Sequence, residues 1–481
     1  MSPGDVQALL PMIVVALTAV AVVLTISFRR NHKLALWTTL AGLAIAFAVL
    51  LSRAGVASVD AGWILVMDQY AKYFMGLILV LSAVVSLFTY ASFRRTEDHK
   101  EELYVLILIS ALGGMVLAAS NHFISFFLGL EILTVPLYVM ISFLRRDSMA
   151  LEAGFKYLIL AAAASAFLVL GMALIYADLG QLSFGALATS LVPQFSYGSL
   201  YVLLGTGLIV VGVGFKLGVV PFHMWTPDVY QGAPAPVTAF IASVSKSAMV
   251  AVLIRYAVNA DVNVTPFLFY VIGIIALLSM LLGNILAIIQ TNLKRLLAYS
   301  SIAHLGYVLV GIVAVGSRAT EAVLYYMTVY AITIVGAFGL ISAMSGADDE
   351  AAEIESYQGL FWRRPWTAGL LAVFLFSLAG IPLTAGFIGK YFVVVAGVGS
   401  ALWTLVIVLI VSSVIGLYYY LRVIAVMIGN GGTESERGLP FHTSAGSTVL
   451  LFVLGLAVIY LGVYPGPLVD LIRGAIVNSL M

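Results

Sequence analysis

Cysteine is absent from this 481-residue sequence, which excludes disulfides, thiolate-bound zinc and ordinary iron–sulfur ligation. Charge is scarce as well. Asp, Glu, Lys and Arg make up 9% of the chain, against roughly 25% in a typical soluble domain. That is too little to clothe a water-soluble protein of this size. Hydrophobic residues reach 62%, so lipid must be the solvent for most of the surface. The formal charge of +1 offers no electrostatic reason to expect nucleic acid or an acidic protein partner. There is no Walker loop and no GxGxxG. The histidines (His32, His99, His122, His223, His304 and His442) never take the HxxxH spacing of a helical metal site. Any redox chemistry then belongs to a partner.

What is present is a succession of apolar runs. The first, from about Val6 to Ser27, has no basic segment before it and is followed by Arg29, Arg30 and Lys33. It is too long for a signal-peptide core and reads as an uncleaved first helix with its N-terminus outside. Windows of roughly 20 apolar residues predict about fourteen transmembrane helices. They lie near 6–28, 34–54, 70–93, 103–119, 122–143, 152–177, 200–219, 235–258, 266–289, 295–315, 320–345, 366–394, 399–427 and 446–471. Basic residues set the orientation. Arg29, Arg30, Lys33, Arg94, Arg95, Lys100, Arg145, Arg146, Lys294, Arg295, Arg363, Arg364, Arg422 and Arg437 fall on one side. Arg53, Lys72, Arg255, Arg318 and Arg473 fall on the other. Both termini are therefore expected to be periplasmic.

The fold expected is an all-α polytopic membrane protein with two inverted five-helix repeats. Helices four to eight and nine to thirteen have similar lengths, and an odd number of spans turns the second unit upside down. The chain divides into three N-terminal helices (1–100), a first repeat (101–258), a second repeat (259–428) and a last helix (429–481). In each repeat a proline interrupts the fourth helix, at Leu217-Gly-Val-Val-Pro221 and Leu378-Ala-Gly-Ile-Pro382. Proline removes a backbone hydrogen bond, and within a bilayer such a break survives only where protein or water can satisfy it.

Charged residues inside the spans are the candidate functional groups, because a central charge costs roughly 2.5–3.5 kcal/mol to insert. Glu131 lies mid-helix in Phe126-Phe-Leu-Gly-Leu-Glu131, and its expected counter-ion is Lys216, just before the first break. Burial disfavours the charged form of either group and a close opposite charge restores it, so movement of Glu131 would switch Lys216. The plainer reading is a static ion pair. Lys246, flanked by Ser243, Ser245 and Ser247, and Lys390, beyond the second break, are further candidates, although a lysine near a helix end can snorkel. His223 and His304 could pass protons or simply pack. Lys294, beside Arg295, is either a proton intake point or a positive-inside anchor. Glu152 and Lys156 form an i,i+4 pair, and the acidic loop Asp348-Asp-Glu350-Ala-Ala-Glu353-Ile-Glu355 reads as solvated, with docking to a neighbour the alternative.

Three segments carry a resemblance to a known family. They are Gly214-Phe-Lys216 through Ala233-Pro-Ala-Pro236, Asn292-Leu-Lys-Arg through His304-Leu-Gly-Tyr307, and Ser377-Leu-Ala-Gly-Ile-Pro through Lys390. Together they resemble the antiporter-like membrane subunits of the proton-pumping NADH–quinone oxidoreductase, respiratory complex I, over essentially the whole chain. The resemblance implies a bacterial inner-membrane subunit that contributes to proton translocation. It implies that Glu131 and Lys216 are a coupled pair, Lys246 a central connecting lysine and Lys390 the ionisable residue of the second broken helix. NADH, FMN, iron–sulfur clusters and quinone are expected in partner subunits, with no cofactor in this chain. The expected partners are other membrane-arm and peripheral-arm subunits, neighbouring antiporter-like subunits among them. A subunit of a multi-subunit cation–proton antiporter and a purely structural membrane-arm subunit are the alternatives.

Overall fold

Backbone surrounded by lipid must satisfy its own hydrogen bonds, and this chain does so with helices almost throughout. A computed structural model describes residues 3–53, 58–94, 100–185, 200–259, 266–346, 350–429 and 445–477. Arg95, His99, Asp348, Arg437 and His442, named above, lie outside the described residues. The short α1 (Pro3–Ala8) precedes α2 (Leu10–Phe28) and α3 (His32–Ser52). A hairpin of β1 (Val59–Ala61) and β2 (Leu65–Met67) then pairs Val59 with Met67 and leads into α4 (Gln69–Phe93).

The first five-helix run is α5 (Glu102–Ala119), α6 (Phe123–Ile141), α7 (Ser148–Leu179), a broken span of α8 (Leu200–Leu217) and α9 (Trp225–Gly232), and α10 (Ala235–Asn259). The second is α11 (Pro266–Ile288), α12 (Leu293–Ala314), α13 (Ser317–Met344), a broken span, and α17 (Trp403–Ile428). The short α14 (Leu360–Arg363) precedes that broken span, which consists of α15 (Pro365–Ala379) and α16 (Ala385–Gly399). The last span, α18 (Ala445–Val463), is followed by α19 (Gly466–Val477). Among the described residues, 13 helices are long and apolar enough to cross a membrane. The α15–α16 pair, each half too short alone, supplies the fourteenth crossing.

The break falls in the fourth helix of each run, as the prolines predicted. Both breaks also need glycine: Gly218 (φ +68°) and Gly380 (φ +83°) sit in the left-handed region directly after the first half-helix. The helices are not equivalent in environment. α10, α12 and α13 are enclosed almost all round, whereas fewer than half of the residues of α2, α3, α7, α11, α17 and α18 are buried within the chain. The core of the molecule is therefore the seam where the two runs meet.

Four features depart from the sequence reading. The last predicted helix (446–471) stops at Val463, because Pro465 lacks the donor needed to continue it, and α19 starts anew. A π turn over Ile241–Ser245 interrupts α10 immediately before Lys246, and no proline or glycine within the turn announces it. The described part of the acidic loop, residues 350–355, is docked against the start of α12, although Glu353 and Glu355 remain exposed. Glu353 accepts from Asn292 Nδ2 at 3.0 Å, Leu293 N donates to Ala352 O at 2.6 Å, and Glu350 binds Lys294. Arg255 is no loop anchor. It is buried, and its guanidinium grips Asp68 with two bonds of 2.7 and 2.9 Å.

Candidate proton-transfer site

Helix α6 carries Glu131 and, three residues on and so on a neighbouring face, Thr134. Pro136 removes a hydrogen bond from this helix, and Ser110 of α5 brings a hydroxyl to the adjacent Leu133 carbonyl at 3.1 Å. That contact requires α5 to lie against α6 with almost no gap. A Cβ on Gly113 would fall 2.2 Å from Leu133 N.

The expected direct pair of Glu131 and Lys216 is not formed. Lys216 donates to Thr134 Oγ1 at 2.9 Å, and that hydroxyl commits its own proton to Leu130 O at 2.6 Å. Glu131 turns to the neighbouring helix and accepts from Ser165 Oγ at 2.6 Å. Thr134 thus takes the place assigned to the carboxylate. Tyr157 and Phe215 bring ring centroids to 5.7 and 5.9 Å from the Lys216 ammonium, a favourable place for a cation without a counter-ion.

Past Lys216 the helix breaks, and its loose carbonyls all find donors. Trp225 Nε1 donates to Phe215 O at 2.8 Å, and Lys246 donates to Leu217 O and, at 3.4 Å, to Lys216 O. On the donor side, Val220 N reaches Ser279 Oγ at 3.0 Å. The indole of Trp225 lies 4.9 Å from the Lys246 ammonium. Lys216 and Lys246 are therefore joined through the broken backbone. His223, in the turn after the break, is buried with Nδ1 lacking any hydrogen-bond partner among the described residues. Neither lysine is among the partners of its side chain.

The second break repeats the device. Lys390 turns inward rather than snorkelling and donates to Ala379 O at 2.8 Å and to Ser413 Oγ at 2.9 Å. Its ammonium lies 5.3 Å from the centroid of Tyr307. The ring of His304 is 5.5 Å from that same tyrosine and is held by Tyr326 and Tyr420, one phenol on each ring nitrogen. Lys294 stands apart from this line. It is fully buried, pairs with Glu350 and donates to Ala233 O at 2.7 Å, so it ties the start of α12 to the elbow between α9 and α10. Glu152 and Lys156 do pair, at 2.8 Å, and Lys156 also reaches Asp228 at 2.9 Å.

Three buried lysines and a histidine thus run from α8 to α16, with serine, threonine and tyrosine side chains beside them. A family model described as NADH:quinone oxidoreductase/Mrp antiporter, transmembrane, matches residues 120–416, the region that contains this whole line. The chain belongs to that family. Members named NADH-quinone oxidoreductase subunit N occur in Ectopseudomonas mendocina and Methylococcus capsulatus, each 45% identical to this chain. The match takes in 98% of this chain in both cases, and 97% and 95% of those proteins respectively. Among solved structures, a chain of respiratory complex I from Thermus thermophilus with bound aureothin is 30% identical with a TM-score of 0.83, covering 97% of this chain and all of that one. A chain of the Mrp complex from Dietzia has a TM-score of 0.86 at 19% identity, covering 100% of this chain and 98% of that one, which extends the likeness of fold alone. The antiporter-like family is thus one of multi-pass membrane proteins, and this chain is one of them.

Sequence reasoning missed Thr134, Trp225, Ser413 and the tyrosines around His304. Thr134 was within reach of it, because i,i+3 spacing from Glu131 puts both on adjoining faces. Nothing local marks the tyrosines, whose partners lie 22 and 116 residues from His304.

Proposed function

We propose that this chain is the N-type antiporter-like subunit in the membrane arm of a proton-pumping NADH–quinone oxidoreductase, and that Glu131, Lys216, Lys246, His304 and Lys390 carry protons through it. The observation that bears most weight is the state of the three lysines. Each is buried inside the helix bundle, yet among the described residues none is in an ion pair; each bonds only to neutral oxygens. A lysine kept for structure would be paired, since an unpaired charge in a bilayer is costly. One that must gain and release a proton is served by carbonyl and hydroxyl partners that tolerate both states. The 45% identity to proteins named subunit N over nearly the full length supports the choice of assembly, as does the Thr226-Pro-Asp-Val-Tyr-Gln-Gly-Ala-Pro234 wording.

In this reading residues 101–258 and 259–428 are two inverted units, each turned about its broken helix, and both termini face the periplasm across the inner membrane. NADH, FMN, iron–sulfur clusters and quinone reside in partner subunits, and the redox reaction there drives rearrangement here. Proton transfer begins when Glu131 leaves Ser165 or Lys216 leaves Thr134, which changes the field at Lys216. Protons are then exchanged along the carbonyl-linked pair Lys216 and Lys246 and, across the seam, along His304 and Lys390. His223 serves the first break, and Lys294 acts by holding the α9–α10 elbow.

A tagged chain should co-migrate with NADH dehydrogenase activity on a native gel of mildly solubilised membranes. Lys216→Ala and Glu131→Ala should then assemble but lose proton pumping together with coupled quinone reduction. Normal pumping by both would remove the proton-carrier role. Migration away from an intact NADH-active band would instead indicate a cation–proton antiporter assembly.

A further inference from the structure

The bonds around His304 fix more than its position. A phenol has one proton, and Tyr420 gives its proton to Ser300 Oγ at 2.6 Å. Toward His304 Nε2, 3.1 Å away, Tyr420 can therefore only accept. The imidazole must carry its hydrogen on Nε2. When the ring is neutral, Nδ1 is then an acceptor, and the hydroxyl of Tyr326 must donate to it. All four groups are buried, and they come from α12, α13 and α17. Every hydrogen bond in the series points the same way.

We propose that Tyr326 and Tyr420 are proton-transfer residues that form, with His304, an oriented wire running Tyr326 to His304 to Tyr420 to Ser300. The inference rests on the proton-carrier reading above and adds two tyrosines and a direction to it. A proton reaching the Tyr326 oxygen releases that hydroxyl's own proton onto Nδ1. The imidazolium passes its Nε2 proton to the Tyr420 oxygen, Tyr420 passes its proton to Ser300, and Ser300 releases one to a water molecule. One proton enters and one leaves, and only O–H and N–H bonds form and break. The ring is left with its hydrogen on Nδ1, so it must reorient and the hydroxyls must rotate before the next passage.

Position suits this role. Gly389, the neighbour of Lys390, lies against Tyr326, whose Cδ2 would be 2.7 Å from an added Cβ. On the far side Ser301, next to Ser300, accepts from Tyr330 at 2.6 Å and lies 3.3 Å from the Tyr230 hydroxyl of α9. The wire therefore starts beside the second broken helix and ends on a serine whose neighbour, Ser301, lies against α9 of the first.

The test uses the whole complex in proteoliposomes, with assembly checked on native gels, and compares Tyr326→Phe, Tyr420→Phe, the double variant and Lys216→Ala. Each tyrosine variant should lower proton uptake per NADH oxidised roughly twofold or more, as expected when a proton-transfer group is lost. The double variant should be no worse than either single one, because one wire cut twice is still one cut wire. Tyr73→Phe, which removes a 2.6 Å bond to Thr328 outside the wire, should pump normally. If a tyrosine variant fails to assemble, His304→Gln, which holds a fixed donor and acceptor, takes its place and should show the same loss. Wild-type pumping by the assembled tyrosine variants beside an impaired Lys216→Ala, or losses that multiply in the double variant, would overturn the wire alone. Normal pumping by Lys216→Ala would overturn the parent reading, and the wire with it.

Discussion

The ammonium group of Lys246 caps the carbonyl of Leu217, the residue on which α8 ends. Gly218 makes this contact possible, since its φ is +68° and a Cβ there would lie 3.0 Å from Lys246 Nζ and 2.4 Å from Thr226 Oγ1. Gly218→Ala should therefore cost roughly 1–2 kcal/mol from the left-handed backbone alone and displace the lysine as well. Because a misplacement of about 1 Å can cost up to about 100-fold in a transfer step, pumping should fall several-fold where native gels still show assembled complex. Equal losses of assembly and pumping would make Gly218 a purely structural requirement.

The Asp68–Arg255 pair joins the N-terminal helices to the span that carries Lys246. Arg255 also donates to Ala118 O at 3.2 Å and lies 4.9 Å from the Tyr70 centroid, while Asp68 caps α4 through Ala71 N at 2.7 Å. Removing one partner strands a buried charge, at a cost of about 3–5 kcal/mol. Arg255→Met and Asp68→Leu should each reduce the melting temperature of the complex or its yield. The double variant should recover part of the loss, since two apolar side chains leave no charge behind. Additive losses would show that the pairing contributes nothing beyond each residue's packing.

Which of this was legible in the sequence depends on how far apart the partners are. The apolar spans, both breaks and the buried lysines could be read because each is a local event: a run of apolar residues, a proline, a charge where none is expected. Partner choice could not. Lys216 is the counter-ion the sequence suggests for Glu131, yet its bond goes to Thr134, whose neutral hydroxyl carries no charge to betray it. The acidic loop looked solvated because its composition is that of a solvated loop. Its docking depends on Lys294 and Asn292, which only the folded chain brings to it. The π turn before Lys246 lacks even a glycine or proline to mark it.

Lys294 and Glu350 supply a third test. Glu350 accepts both from the buried Lys294 and from Ala235 N, the latter at 2.7 Å, at the start of α10. Glu350→Ala would leave the buried Lys294 ammonium with the Ala233 carbonyl but no counter-ion, and the helix-start donor of Ala235 unsatisfied, at about 3 kcal/mol or more. Glu350→Gln keeps an acceptor oxygen and should lose less. Thermal unfolding of the purified complex should rank wild type above Gln and Gln above Ala, with proton uptake per NADH unchanged in whatever assembles. A Gln variant that assembles fully but pumps poorly would instead make the carboxylate part of the proton route.

Thr134 decides whether Lys216 is held apart from Glu131 for a reason. Its hydroxyl proton is committed to Leu130 O, so its oxygen is a standing acceptor for Lys216. A hydrogen bond to a charged group contributes about 1.5–3 kcal/mol. Thr134→Val preserves shape and removes that acceptor, leaving the ammonium with two aromatic rings and one carboxylate within electrostatic reach. The expected result is a lysine drawn onto Glu131 in a standing ion pair, with proton uptake per NADH reduced several-fold and assembly intact. Thr134→Ser, which returns the oxygen, should restore pumping. Should the valine variant pump as well as the serine one, Thr134 is packing, and the separation of Lys216 from Glu131 must be maintained by Ser165 holding the carboxylate away.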